Sequence, residues 1–217
     1  MIKTKKRGIL FVVSGPSGCG KDTVIRELMK KRKNLWLSIS CTSREMRPGE
    51  INEKDYYFLS KDEFEDKIKN DELLEYAEYA GNYYGTPREH IEKHLSDGED
   101  VVLVIEIVGA LKIKELLPDT LFIFILPPSM KELRKRLTGR GTESKDKIDK
   151  RFKRAYEEIN AVNDYNYVVV NDDVENAVEK INAILISEKC RVDRIEKLDV
   201  DNVEEEIHET LINESKK

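Results

Sequence analysis

The chain has 217 residues, enough for one α/β domain with insertions or for two small domains. Its 39% hydrophobic and 37% charged residues describe a wetted surface around a moderate core, and no apolar run nears the ~20 residues that span a bilayer. A net charge of -5 argues against nucleic acid as the main partner, yet leaves room for a local basic pocket that takes a small anion. Residues 1–7 are basic but lead into an apolar stretch without a small-residue cleavage site, so no signal peptide is expected. Cys19, Cys41 and Cys190 lie far apart and form no CxxC pair. Neither a disulfide framework nor a structural zinc site is expected, which fits a cytoplasmic setting.

Residues 8–14 (GILFVVS) form a short, near-continuous apolar run, which predicts a buried parallel strand. Gly15-Pro16-Ser17-Gly18-Cys19-Gly20-Lys21 follows and opens a helix through Glu27-Leu28-Met29. This is GxxxxGK between a strand and a helix. Its glycines let backbone N–H groups curl around an anion, and the helix N-terminus adds positive potential. Lys21 reaches the outer phosphates as a point charge. The plain alternative is a Gly-rich turn. After the lysine stands Asp22, then Thr23, where a Ser or Thr hydroxyl normally holds Mg²⁺. A carboxylate is also an oxygen ligand for that ion, but it repels a triphosphate. Asp22 and Thr23 are the metal candidates.

Residues 41–86 are rich in Tyr, Glu and Arg, with turns at Pro48-Gly49 and Gly81-Asn82, and predict a small inserted α+β subdomain. Arg44 and Arg47, three apart, either converge on one phosphate or are solvated surface charges. Tyr56 and Tyr84 either donate phenol hydroxyls there or sit half-buried in strands. Capping boxes are expected at Ser60–Glu63 and Ser129–Glu132. Thr86-Pro87-Arg88-Glu89 reads as another helix start, with Gly98 as its end. His90 and His94 share a face of that helix, read as solvated surface. Trp36 reads as a packing residue near the end of the first helix.

Residues 101–107, 121–126 and 167–170 read as further buried strands separated by helical patterns. The fold class is therefore α/β: a mostly parallel central sheet with helices on both faces. Residues 136–151 are charged, contain Gly139 and Gly141, and lack an apolar face, which predicts a mobile lid. Arg134, Lys135, Lys150 and Arg154 read as a solvated helix face. From residue 191 the chain becomes an acidic tail, either a docked helix or a frayed end. The expected division is a core at 1–40, 87–135 and 152–190, an insert at 41–86, a lid at 136–151 and a tail at 191–217.

The chain resembles the guanylate kinases, P-loop enzymes that phosphorylate GMP from ATP. The resemblance rests on G-P-S-G-x-G-K, S-x-S-x-T-x-R-x-x-R-x-G-E, D-Y-x-F, L-x-E, G-N-Y-Y-G-T, R-x-x-x-R-G-T and V-V-N-D, in that order from about residue 8 to 187. It implies that Gly15 to Thr23, Arg136 and Asn171 bind ATP, and that Arg44, Arg47, Tyr56 and Tyr84 hold the GMP phosphate. It implies that Ser40, Glu75, Thr86 and Glu106 read the guanine. Lys21, Arg44, Arg140 and Arg151 become the catalytic set, with Mg²⁺ as cofactor and a monomer or homodimer as the assembly. The chemistry agrees: guanine presents N–H donors at N1 and N2, and a carboxylate only accepts. Glu106 falls inside an apolar strand, where an unpaired charge is costly, so a ligand partner is expected.

Three positions depart from the family pattern, two of them on the magnesium side. Val104 stands where the family has an acid, and Asp22 where it has a hydroxyl, so Asp22 is expected to supply the carboxylate that Val104 cannot. Val108 likewise replaces a Gln before Gly109. These departures keep two alternatives open: a kinase of ribose 1,5-bisphosphate, and a catalytically silent guanylate-kinase-like binding module.

Overall fold

The computed structural model of the chain describes residues 3–79, 81–139 and 145–199. Strand β1 (Lys3–Lys6) precedes β2 (Leu10–Ser14), a loop and helix α1 (Lys21–Lys31). β3 (Leu35–Ser38) then leads into the insert: β4 (Cys41–Thr42), β5 (Tyr57–Phe58), α2 (Lys61–Lys69), β6 (Leu73–Tyr79) and β7 (Asn82–Pro87). The chain returns through α3 (Ile91–Ser96), β8 (Asp100–Val104), α4 (Ile107–Leu116), β9 (Leu121–Leu126) and α5 (Met130–Thr138). It ends with α6 (Lys145–Ile159), β10 (Tyr167–Val170), α7 (Val174–Glu188) and β11 (Ile195–Asp199).

β10, β9, β2, β8 and β3 lie side by side in one five-stranded sheet, every pair parallel. Successive side chains of a strand point to opposite faces, so each apolar run feeds two cores. Phe11, Val13, Val102, Ile123 and Ile125 pack with Val24, Ile25 and Leu28 of α1 and Ala177, Ile181 and Leu185 of α7. Val12, Val101, Leu103 and Phe122 pack with Ile91 and Leu95 of α3 and Ala110 and Ile113 of α4. Helices thus cover both faces, as the alternating pattern predicts. The insert forms a separate sheet ordered β5-β4-β7-β6, with a small core of Cys41, Phe64 and Leu73.

A buried carboxylate ties the lower end of the sheet together. Asp100 accepts from the Ile9 amide at 3.0 Å, from Arg32 at 2.7 Å and from Lys189 at 2.7 Å. It therefore links β2 to the ends of α1 and α7.

Several sequence expectations are corrected. Thr86 and Pro87 do not start a helix; they end β7, and α3 begins after His90, whose φ is 69°. The Thr86 hydroxyl is engaged by Glu75 and is not free to cap. At Ser60 both arms of the capping box form. At Ser129 the side chain accepts from the Glu132 amide at 3.1 Å, while the Glu132 carboxylate takes Arg136 at 3.2 Å. Strand β8 stops at Val104, so Glu106 is not inside it; Glu106 is the residue before α4. The flanks of the expected lid do have an apolar face, because Leu133 and Leu137 pack with Ile148, Phe152 and Ala155. Residues 195–199, expected as helix or frayed end, pair as β11 antiparallel to β1; the tail beyond 199 lies outside the described residues. Trp36, in β3 shortly after α1, packs against the core as expected and stacks on His94 with centroids 4.2 Å apart. His94 is thereby partly covered, and it also bonds Glu99.

Candidate functional site

The loop between β2 and α1 lies at the carboxyl end of the parallel strands, where open α/β sheets bind ligands. Gly20 takes φ 96° just before α1, and a Cβ there would lie 2.5 Å from Asn171 Nδ2. Only glycine admits both the left-handed backbone and that close approach. Lys21 curls back to donate to the Gly15 carbonyl at 2.7 Å. Burial disfavours its charge, but its acidic surround, which includes the Glu106, Asp22 and Glu158 carboxylates, outweighs burial and raises its pKa. Lys21 is therefore a fixed cation in an acidic surround. Cys19 is fully buried, and burial pushes its thiol up, so the loop does not activate it. Asp22 and Thr23 are exposed on the first turn of α1.

Three groups from distant segments close on this loop. Asn171, at the end of β10, donates to the Cys19 carbonyl at 2.8 Å, and its Oδ1 is buried without a partner. Arg136 of α5 donates to the Cys19 carbonyl at 3.2 Å and to the Asn171 carbonyl at 3.1 Å. Arg151 of α6 donates to the Ser17 hydroxyl at 2.6 Å. Arg140 lies outside the described residues.

Across a cleft stands the inserted sheet. Ser40, Tyr56, Glu75, Tyr84 and Glu106 line this cleft with Gly109. Glu75 is buried, accepts from the Thr86 hydroxyl at 2.7 Å, and has its pKa raised by burial. A Cβ on Gly109 of α4 would come within 2.7 Å of Glu75 Oε2, so glycine leaves that carboxylate its room. Glu106 Oε2 is buried with no partner. Burial pushes the Tyr56 phenol up to about 12, so it stays a hydrogen-bond donor at neutral pH.

Arg44 does not wait in solution. It makes a two-pronged pair with Glu50, both contacts at 2.6 Å, and its guanidinium carbon lies 5.0 Å from the Tyr56 ring centre. That bond holds the Glu50 carboxyl below its ordinary range. Arg47 has an exposed side chain, and its amide donates to Glu50 at 2.7 Å. Glu50 thus organises both arginines. It was legible as the last residue of R-x-x-R-x-G-E but carried no assigned role.

Tyr79 and Arg154 had no sequence signal. Tyr79 lines the cleft, and the Arg154 guanidinium carbon lies 3.6 Å from its ring centre. Arg154 also pairs with Glu158 at 3.0 Å; its side chain is 41% exposed, so it keeps one side in solvent while making these two contacts. Arg134 fits that reading better: its side chain is 54% exposed, though it pairs with Asp149.

Mg²⁺ delivered with a nucleotide needs only one or two protein carboxylates beside its phosphates. Asp22 offers one and Thr23 a hydroxyl, while Asp22, Glu106 and Glu158 make the surround of Lys21 acidic. The donor set fits that ion. No group of three metal-ligating side chains occurs among the described residues.

Comparisons with known proteins show which family the chain belongs to. The guanylate kinase family profile matches residues 7–188. A guanylate kinase of Clostridium acetobutylicum is 55% identical over 204 residues, covering 94% of this chain and 97% of the relative. One of Caldanaerobacter subterraneus subsp. tengcongensis is 59% identical over 190 residues, covering 88% of this chain and 92% of the relative. The crystal structure of guanylate kinase from Anaplasma phagocytophilum superposes with a TM-score of 0.76 at 36% identity, covering 89% of this chain and 92% of that one. Neither the ribose 1,5-bisphosphate kinase nor the silent binding module is favoured. A glycine-rich loop facing a carboxylate-lined cleft, on a chain matched over most of its length, places this protein in the guanylate kinase family, which transfers a phosphoryl group from ATP to GMP.

Proposed function

We propose that the chain moves the γ-phosphoryl of ATP to GMP or dGMP, with the two anion cradles described above facing each other across the cleft. The observation that carries this reading is the buried Glu75 carboxylate, bonded to Thr86 and lining the cleft between the inserted sheet and the start of α4. A carboxylate there accepts from guanine N1–H and N2–H, whereas adenine presents a lone pair at N1. A polar mismatch of that kind discriminates by ~10⁴-fold or more. Ser40, Thr86 and Glu106 complete the base contacts.

Arg44, Arg47, Tyr56 and Tyr84 hold the GMP phosphate. One of its oxygens attacks the γ-phosphorus in line. The new O–P bond forms as the bond to the bridging oxygen breaks, and the electron pair leaves with ADP. No general base is needed, because the acceptor is already an anionic phosphate. Lys21 stabilises charge on the outer phosphates, and Arg140 and Arg151 stabilise the equatorial oxygens during transfer. Gly15 to Gly20 cradle the triphosphate through backbone N–H groups, and Arg136 and Asn171 border the adenine. Asp22 and Thr23 would hold Mg²⁺ beside the ATP phosphates, where the ion would supply positive charge. Closure of residues 136–151 excludes water as a competing nucleophile.

We assign the core to 1–40, 87–135 and 152–190, GMP binding to 41–86 and the acidic tail to 191–217. The chain acts in purine nucleotide metabolism in the cytoplasm. Its three cysteines are free, and no described helix is long and apolar enough to cross a membrane. The test is a coupled assay of ADP formation with ATP, Mg²⁺ and GMP, dGMP or AMP. Turnover is expected with the two guanine nucleotides and not with AMP. Absence of turnover with GMP overturns the reading.

A further inference from the structure

Helix α6 touches both halves of the site. Arg151 donates to Ser17 in the glycine-rich loop at 2.6 Å. One turn later, the Arg154 guanidinium carbon lies over the Tyr79 ring of β6, 3.6 Å from its centre. That is well inside the ~6 Å reach of a cation–π contact. The guanidinium is also held from the side, because its Nε donates to Glu158 Oε1 at 3.0 Å. Glu158 is itself largely buried, with 11% of its side chain exposed. Arg154 is therefore held at two points, although its side chain remains 41% exposed.

Tyr79 begins an aromatic row through the insert. Its ring meets Tyr84 edge-on at 6.0 Å, and Tyr84 meets Tyr56 edge-on at 6.1 Å. Arg44 then lies over the Tyr56 ring at 5.0 Å. Four contacts thus connect α6 to the arginine assigned to the GMP phosphate, and Tyr79, Tyr84 and Tyr56 all line the cleft. Tyr79, the ring that seats Arg154, is thus itself part of the cleft wall.

We propose that Arg154 is a positioning residue: stacked on Tyr79, it couples occupancy of the acceptor cleft to the seating of Arg151 on the donor loop. This rests on the assignment of the cleft to GMP. Arg154 is not among the residues assigned above to either nucleotide. It acts by making the acceptor wall and the donor arginine parts of one rigid helix contact, so each nucleotide tightens the other.

The test is GMP affinity by calorimetry, with and without saturating non-hydrolysable ATP analogue and Mg²⁺. The ratio of the two dissociation constants is the linkage factor. The wild-type chain is expected to bind GMP more tightly with the analogue. Arg154→Met and Tyr79→Leu are each expected to cut that factor about fivefold. The double variant should cut it no further than either single one. Tyr79→Phe keeps a ring beneath the guanidinium and should keep the linkage. If Arg154→Met does not fold, Arg154→Lys is read in its place, since it keeps the charge and loses the flat stacking surface. A purely structural role would lower the melting temperature and both affinities while leaving the ratio intact. An unchanged ratio in a folded Arg154 variant, or additive losses in the double, overturns the proposal. Failure of the wild-type chain to bind GMP at all would instead overturn the functional assignment.

Discussion

Thr86 and Glu75 are direct register partners across the β6–β7 pair, and the Thr86 hydroxyl donates to Glu75 Oε1 at 2.7 Å. Residues opposite each other in a pleated pair place their side chains on the same face. The hydroxyl therefore aims one carboxylate oxygen while the other points toward α4, against Gly109. A hydrogen bond from Thr86 favours the ionised form, and burial opposes it more strongly, so the net shift is upward.

That shift has a sign for stability. Glu75 binds its proton more readily folded than unfolded, so its burial costs stability as pH rises through the raised pKa, and the cost persists at neutral pH. Glu75→Gln is expected to raise the melting temperature at neutral pH, with the gain shrinking in acid. The same variant should raise KM for GMP at least about tenfold, since it loses acceptor capacity. In the wild-type chain KM for GMP should climb as pH falls through the raised pKa. A melting temperature equal to or below wild type at neutral pH would contradict the burial account.

Gly109→Ala places a methyl 2.7 Å from Glu75 Oε2 if nothing moves. The carboxylate must swing out of its aim, so KM for GMP rises while KM for ATP stays close to wild type. Steady-state kinetics with each nucleotide varied checks this; equal effects on both would point to general distortion of α4.

Glu50→Gln removes the charge that holds Arg44 and leaves the hydrogen-bonding shape nearly intact. Charge-assisted bonds outweigh neutral ones, so GMP affinity is expected to fall on the order of tenfold. The Glu50 pKa is lowered chiefly by Arg44, so this contribution is lost as pH falls through that depressed value. Unchanged GMP binding in folded Glu50→Gln would show that Arg44 holds its place without it.

Asp22 is exposed on α1, whereas Val104 is packed against the core face of the sheet. If Asp22 replaces the acid missing at 104, Asp22→Ser alone raises the Mg²⁺ concentration needed for half-maximal rate. Adding Val104→Asp restores it in part. A titration of rate against Mg²⁺ decides the matter, and an unaltered requirement in Asp22→Ser rules the compensation out.

Asp100→Ala leaves Arg32 and Lys189 without their buried partner and frees the Ile9 amide. Removing one side of such a cluster costs roughly 3–5 kcal/mol. Urea unfolding should show that loss, with kcat of the remaining folded protein near wild type. A loss below about 1 kcal/mol would mean that the two cations find other partners.

The central sheet and the glycine-rich loop were legible because their determinants are local. A run such as LFVVS or LFIFIL encodes a strand buried on both faces, and GxxxxGK encodes its own backbone path. Ser60 and Glu63 lie within one helical turn, so their capping box needed no tertiary information. Local pattern failed where a distant residue claimed the side chain. Thr86 looked like a helix cap, but Glu75, eleven positions back, engages its hydroxyl. Arg154 looked like a surface cation until the insert brought Tyr79 beneath it, and Glu50 gained its role only when the turn returned it to Arg44. Composition and spacing alone thus determined the layered α/β core and the anion loop, since adjacent residues set backbone conformation and burial pattern. The folded chain decided how the carboxylates, tyrosines and arginines of the cleft pair, because those contacts join segments up to seventy-five positions apart, such as Arg154 and Tyr79.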